Sequence, residues 1–157
     1  MIYFLQGQSG TGKSVLGKKL HKFLKTEKRN WRKDVFHIDE IEIRNLTDNT
    51  DYSFIGINNI NKQIELITEY LHNNGCDVVV SALSPYRTAR EEFKDRFAIG
   101  DFQEIYTHTN EKQPDSPLQI EDYEAPEINF IDIDTTKDSI DTSFSKLINH
   151  LHKLNKL

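Results

Sequence analysis

The chain has 157 residues and a formal net charge of −5, with 36% hydrophobic and 29% charged residues. Leu, Ile, Val and Phe make up more than a quarter of it, enough to fill a core and too much for a disordered chain. The acidic balance argues against a general nucleic-acid binder, which needs a basic surface, and a single Cys76 excludes a disulfide framework or a multi-cysteine zinc site.

In chain order, Ile2–Gln6 is a short apolar run that reads as a strand, followed by a glycine-rich loop. Leu16, Leu20, Phe23 and Leu24 recur at helical spacing. Asp34–Asp39 reads as a second strand, and Ile60, Ile64, Ile67 and Leu71 as a second helix ending near Gly75. Asp77–Leu83 (DVVVSAL) has the β-branched run expected of a strand covered on both faces. A helix with Tyr86, Ala89, Phe93 and Phe97 on one side follows. Phe102–Thr107 and Ile128–Ile133 supply two more strands, and Ile140, Phe144, Leu147, Ile148 and Leu151 a closing helix. Alternating strands and helices predict right-handed βαβ units, hence an α/β fold with a mostly parallel central sheet and helices on both faces. We expect one domain over residues 1–157, with Glu111–Pro126 as its only loose segment. No long apolar run is present, and no basic region followed by an apolar core opens the sequence. The expectation is therefore a soluble cytoplasmic protein with neither signal peptide nor membrane span.

The stretch QGQSGTGKSVLGKK fits G-x-x-x-x-G-K-[ST] through Gly7, Gly12, Lys13 and Ser14, between a predicted strand and a predicted helix. Gly7, Gly10 and Gly12 let the backbone turn and approach phosphate oxygens. The N–H groups of the loop, through Ser9, Thr11 and Val15, together with the next helix's N-terminus make an anion site. Lys13 adds a charge for the β/γ-phosphates, and the Ser14 hydroxyl can ligate Mg²⁺. This is a P-loop, so the fold class is the three-layer P-loop NTPase fold, with ATP and Mg²⁺ as the expected nucleotide and metal. A GTPase would add D-x-x-G and N-K-x-D. No glycine here has an Asp three places before it, and Asn61-Lys62 runs on into Gln63-Ile64. A small-molecule kinase fits better.

Further landmarks point to a family. The run SALSPYRTAR (81–90) resembles the I-S-P-Y-R-x-x-R segment of adenylylsulfate kinases, and DFQEIYTHT (101–109) their next strand. DYEAP (122–126) resembles their D-x-Y-E-x-P, with a strand ending in Asp134-Thr135 after it, and IDEIEIR (38–44) is similar to L-D-G-D-x-x-R. The resemblance implies transfer of the ATP γ-phosphoryl to the ribose 3′-hydroxyl of adenylylsulfate. It implies Lys13, Asp39 and Ser84 as catalytic residues. It implies a small-molecule nucleotide pocket from Asp39, Arg44, Phe54, Asn58, Ser84, Pro85, Tyr86 and Arg87. A homodimer is compatible with it, while nucleic-acid and membrane partners are not expected.

Departures from the family pattern bear on the acceptor. The second Asp of D-G-D is replaced by Ile41, unless Glu40 or Glu42 takes its place. Asp39 is the candidate to orient the acceptor hydroxyl or hold Mg²⁺ through its water, and the alternative is that it only caps the helix after strand two. The family's acceptor-gripping Arg before the second helix is absent, since Lys62 is the only Lys or Arg between Arg44 and Arg87. Phe54 can still stack on a base, and Asn58 or Asn59 can replace the family's Asn. The basic lid is missing: Gln113 to Thr136 holds no Lys, Arg or His and seven carboxylates. Lys13, Mg²⁺, Arg44, Arg87 and Arg90 would then carry the charge of the transferring group. Arg87 follows the Ser84-Pro85 turn at the edge where ligands bind in open α/β sheets, and Ser84 can equally be a helix N-cap. Lys94 reads as solvated, Cys76 as a small core residue, and His150 and His152 do not converge on a metal. Trp31, among Lys28, Arg29, Arg32 and Lys33, reads as a packed loop residue. An acceptor such as a cytidine diphosphate derivative, or a non-catalytic ATP-binding role, are the alternatives.

Overall fold

The computed structural model describes residues 1–27, 34–110 and 119–157. The cluster around Trp31 lies outside the described residues, and of the segment 111–126 only 119–126 lies within them. Five strands, β1 (Ile2–Gln6), β2 (Val35–Asp39), β3 (Asp77–Ala82), β4 (Phe102–His108) and β5 (Phe130–Asp134), form one sheet in the order β2-β3-β1-β4-β5. Every pairing is parallel, which is stricter than the mostly parallel sheet expected from the sequence. Five helices complete the described fold: α1 (Lys13–Glu27), α2 (Glu40–Leu46), α3 (Phe54–Asn73), α4 (Arg87–Lys94) and α5 (Ile140–Lys153).

Alternation along β1 sorts the core into two layers. Tyr3 and Leu5 join Val79, Ile105, Ile131 and Ile133 under α1 and α5, which contribute Leu16, Leu20, Leu24, Leu147 and Leu151. Ile2 and Phe4 face the other way, with Val78, Val80 and Ile38, under Ile60 and Ile64 of α3 and Phe93 of α4. Helices thus cover both faces, as β3, buried along its whole length, requires.

Helix ends follow local chemistry. Ser53 caps α3 by accepting the Gly56 N–H, and Ser139 caps α5 by accepting that of Thr142. Gly75, at φ +84°, lets the chain leave α3 in the left-handed region. Phe97 stands beyond α4 and still packs on Phe93 and Phe102. Cys76 is half-buried, and among the described residues no cluster of His, Cys, Asp and Glu could hold a metal. No described helix is long and apolar enough to cross a membrane. β1 sits between β3 and β4, so the chain leaves it to opposite sides, and the carboxyl ends of β1 and β3 open into the crevice that such a reversal creates.

Candidate active site

The crevice is a cleft of about 450 Å³. Ser9, Gly10, Gly12, Lys13, Ser14 and Val15 line one wall, and Asp39, Glu40, Ile41, Tyr52, Ser81 and Leu83 the other. The loop leaves β1 at Gly7, where φ is +151° and an added Cβ would lie 2.1 Å from the Thr107 carbonyl oxygen. Only glycine fits there. Gly10 and Gly12 also take positive φ, at 83° and 86°.

Thr11 is buried beneath the loop and does not line the cleft. Its hydroxyl lies 2.9 Å from the Gln8 carbonyl and 2.8 Å from the Thr107 hydroxyl, which donates in turn to the Gln6 carbonyl. Gly17, one turn into α1, lets the helix lie against the sheet: an added Cβ would meet Ser81 Oγ at 2.2 Å. That hydroxyl donates to the Lys13 carbonyl at 3.2 Å and lies 3.0 Å from His37 Nε2, fixing the first turn of α1. Neither contact was signalled by the motif, although a glycine inside an amphipathic helix, next to the buried Leu16, was a visible clue.

Lys13 reaches back, Nζ donating to the Gln8 carbonyl at 2.6 Å. Burial pushes its pKa down to about 8, against the opposing pull of Glu40 and Asp39. Asp39 is 3% exposed and caps α2, accepting the Ile41 N–H at 3.0 Å. Capping and a place in the cleft therefore coexist in one side chain. Glu42 faces outward and pairs with Lys18, so it does not stand in for the carboxylate that Ile41 lacks. Glu40 lines the cleft, but both its oxygens are taken, by Arg44 Nε at 2.7 Å and by the Leu83 N–H at 2.5 Å.

The basic set expected to carry charge in the cleft is corrected by the structure. Arg44 is buried in its pair with Glu40 and donates to Asn49 and the Asp51 carbonyl. Arg90 is buried too, with Nε 3.0 Å from Glu104 and its other nitrogens on the carbonyls of Ser84 and Glu124. Arg87 pairs with Glu127. None of the three lines the cleft: buried carboxylates and carbonyls claim Arg44 and Arg90, while Arg87 pairs at the surface with the exposed Glu127.

Of the expected acceptor residues, Phe54 and Tyr86 are brought into contact. Phe54, at the head of α3, is 63% exposed and lies against Tyr86 with ring centroids 4.9 Å apart. Asn58 follows Phe54 by one turn and is half-buried. Ser84 and Pro85 are buried in the β3–α4 turn. The N-cap of α4 is Tyr86 rather than Ser84, and the Arg87 N–H is satisfied from afar by Glu124 Oε2 at 2.6 Å. Glu124 donates its own N–H to the Pro85 carbonyl. The DYEAP segment is thereby pinned beside the turn, and burial, with the negative charge of Asp122, raises the Tyr86 phenol. Further along, Gln8 exchanges two bonds with the backbone of Ile120, and Gln119 donates to the Ser9 carbonyl.

The family model described as adenylylsulphate kinase matches residues 1–116, nearly three quarters of the chain. The chain belongs to the adenylylsulphate kinase family. An adenylyl-sulfate kinase of Gloeothece citriformis is 32% identical over 105 residues, covering 67% of this chain and 57% of that protein. The chain thus spans little more than half the length of such relatives. One from Staphylococcus haemolyticus is 27% identical over 171 residues, covering 96% and 83%. The solved Mycobacterium tuberculosis APS kinase, in complex with AMPPNP and APS, superimposes with a TM-score of 0.76 at 19% identity, over 96% of both chains. That likeness shows the P-loop kinase fold.

Proposed function

We propose that the chain is an ATP-dependent small-molecule kinase that transfers the γ-phosphoryl of ATP to the ribose 3′-hydroxyl of adenylylsulfate or of a closely related nucleotide. The observation that carries this reading is the cleft in which Lys13 and Ser14, at the head of α1, share one cavity with Asp39. The loop's N–H groups and Lys13 would hold the ATP phosphates. Asp39 would orient the acceptor hydroxyl. Phe54 and Tyr86 offer the stacking surface for the acceptor base, beside Asn58 and Ser84.

The donor set suits Mg²⁺. A serine hydroxyl and one nearby carboxylate match a cation that keeps most of its waters and binds mainly through substrate phosphates. Ser14 would hold it directly and Asp39 through water, and the ion would neutralise charge developing on the transferred group. The protein's part is positioning and electrostatics: the loop fixes the donor, Asp39 aligns the acceptor, and the Lys13 charge meets the phosphates in a half-closed cleft.

The test is product mass after incubation with Mg-ATP and adenylylsulfate, with ADP release followed in parallel. A species heavier by one phosphoryl group, formed in step with ADP, is the expected result. ATP binding without that product would refute adenylylsulfate as acceptor and send the search to other nucleotide-linked alcohols.

A further inference from the structure

The Glu40 carboxylate is anchored as a bound anion would be. Leu83 lies at the carboxyl end of β3, one residue past its last ladder position, and its N–H points to Glu40 Oε2 at 2.5 Å. Arg44 donates Nε to the other oxygen at 2.7 Å. Tyr52 covers the guanidinium with its ring centroid 4.1 Å away, and Asn49 and the Asp51 carbonyl fix its Nη1. Arg44 Nη2 is buried and has no partner. Without the Glu40 side chain, a preset cation and a backbone N–H would face the cleft wall formed by Tyr52 and Leu83. Such a fork is the geometry that grips sulfate, phosphate or carboxylate.

We infer that Glu40 is an internal occupant of an oxyanion slot, and that it determines acceptor specificity by competing with any anionic group the acceptor brings to that point. The inference rests on the proposed kinase reading for its word acceptor, and on the geometry alone for the slot. Two consequences follow from the charge. An acceptor with a neutral group at the slot meets no opposition. One with an anion there must displace a buried carboxylate held by two hydrogen bonds or lie against its negative charge, because like charges at close range repel.

The experiment follows thermal stability against sodium sulfate, with sodium chloride at matched ionic strength as reference, in wild type and Glu40→Ala. Saturating Mg-ADP keeps sulfate from reading out through the P-loop. Glu40→Ala should gain a saturable, sulfate-specific rise in Tm that wild type lacks. Equal responses of the two proteins would overturn the slot and leave Glu40 as a helix-internal ion pair. Should Glu40→Ala not fold, Glu40→Gln retains an acceptor for Arg44 while removing the charge. Its Kd for adenylylsulfate, measured by calorimetry with Mg-ADP present, should be about tenfold lower than that of wild type. An unchanged or higher Kd would refute the inference. Absence of stabilisation by Mg-ADP would count against the kinase reading, whereas normal ADP binding with no sulfate difference would sink the slot alone.

Discussion

Replacing Arg90 by Met tests whether this arginine builds the site or serves it. Arg90 is 3% exposed and ties three segments together: Glu104 of β4, the Ser84 carbonyl in the β3–α4 turn and the Glu124 carbonyl in the pinned segment. Methionine keeps much of the buried volume but strands the Glu104 carboxylate and two carbonyls. Breaking a buried pair from one side costs about 3–5 kcal/mol. Glu104 retains Gln6 Nε2 at 3.2 Å and Lys94 at 3.8 Å, which places the loss toward the lower end. At about 2–4 °C per kcal/mol for a chain of this size, Tm should fall by roughly 6–15 °C. The double variant Arg90→Met/Glu104→Gln removes the stranded charge and should recover at least half of that loss. Differential scanning calorimetry on the four members of the cycle gives the coupling directly. A single variant within about 1 kcal/mol of wild type, or a double variant no better than the single, would refute the structural role and return Arg90 to the candidates for phosphate contact.

Lys13 starts from a pKa pushed down to about 8, and bound phosphate raises it again. ADP binding should therefore take up no proton through Lys13 near pH 6.5. Uptake should approach one proton near pH 9, where affinity falls by up to about tenfold per pH unit. Calorimetry in buffers of different ionisation enthalpy measures this, and Lys13→Ala should abolish the uptake. Asp39→Asn keeps an oxygen for the Ile41 N–H, so the fold should survive while kcat falls by about 10²–10⁴; activity within a few-fold of wild type would remove Asp39 from the reaction. Gly17→Ala drives a Cβ to 2.2 Å from Ser81 Oγ and should cost about 1–3 kcal/mol in urea denaturation, while an unchanged midpoint would show that α1 can shift away from the sheet.

Much of the fold was legible because its signals are local. The periodicities of Leu16–Leu24 and Ile60–Leu71, the β-branched run of β3 and the glycines of the loop each act within a few residues, and the structure keeps them within small boundary shifts. Family membership, too, was readable from the P-loop and SPYRTAR, because those residues stand at fixed spacing along one chain. The short helix α2 was visible only through the alternative reading of Asp39 as a helix cap, since seven residues give too little periodicity.

What sequence could not decide is which partner each charge takes. Arg44, Arg87 and Arg90 look equivalent as cations near a ligand edge, yet Glu40, Glu127 and Glu104 reach them from four, forty and fourteen residues away. The same holds for Ser84, since Tyr86 takes the N-cap position and Glu124, across the turn, accepts the Arg87 N–H, and for Glu40, which the D-G-D comparison presented as a spare catalytic carboxylate. The sequence by itself determined that there is a phosphate loop, a parallel sheet to carry it and a candidate carboxylate, because glycine spacing and hydrophobic period are properties of a single segment. The tertiary structure alone decided which charges remain free in the cleft, because burial makes each ion choose its nearest counter-ion in space, whatever lies between them in the chain.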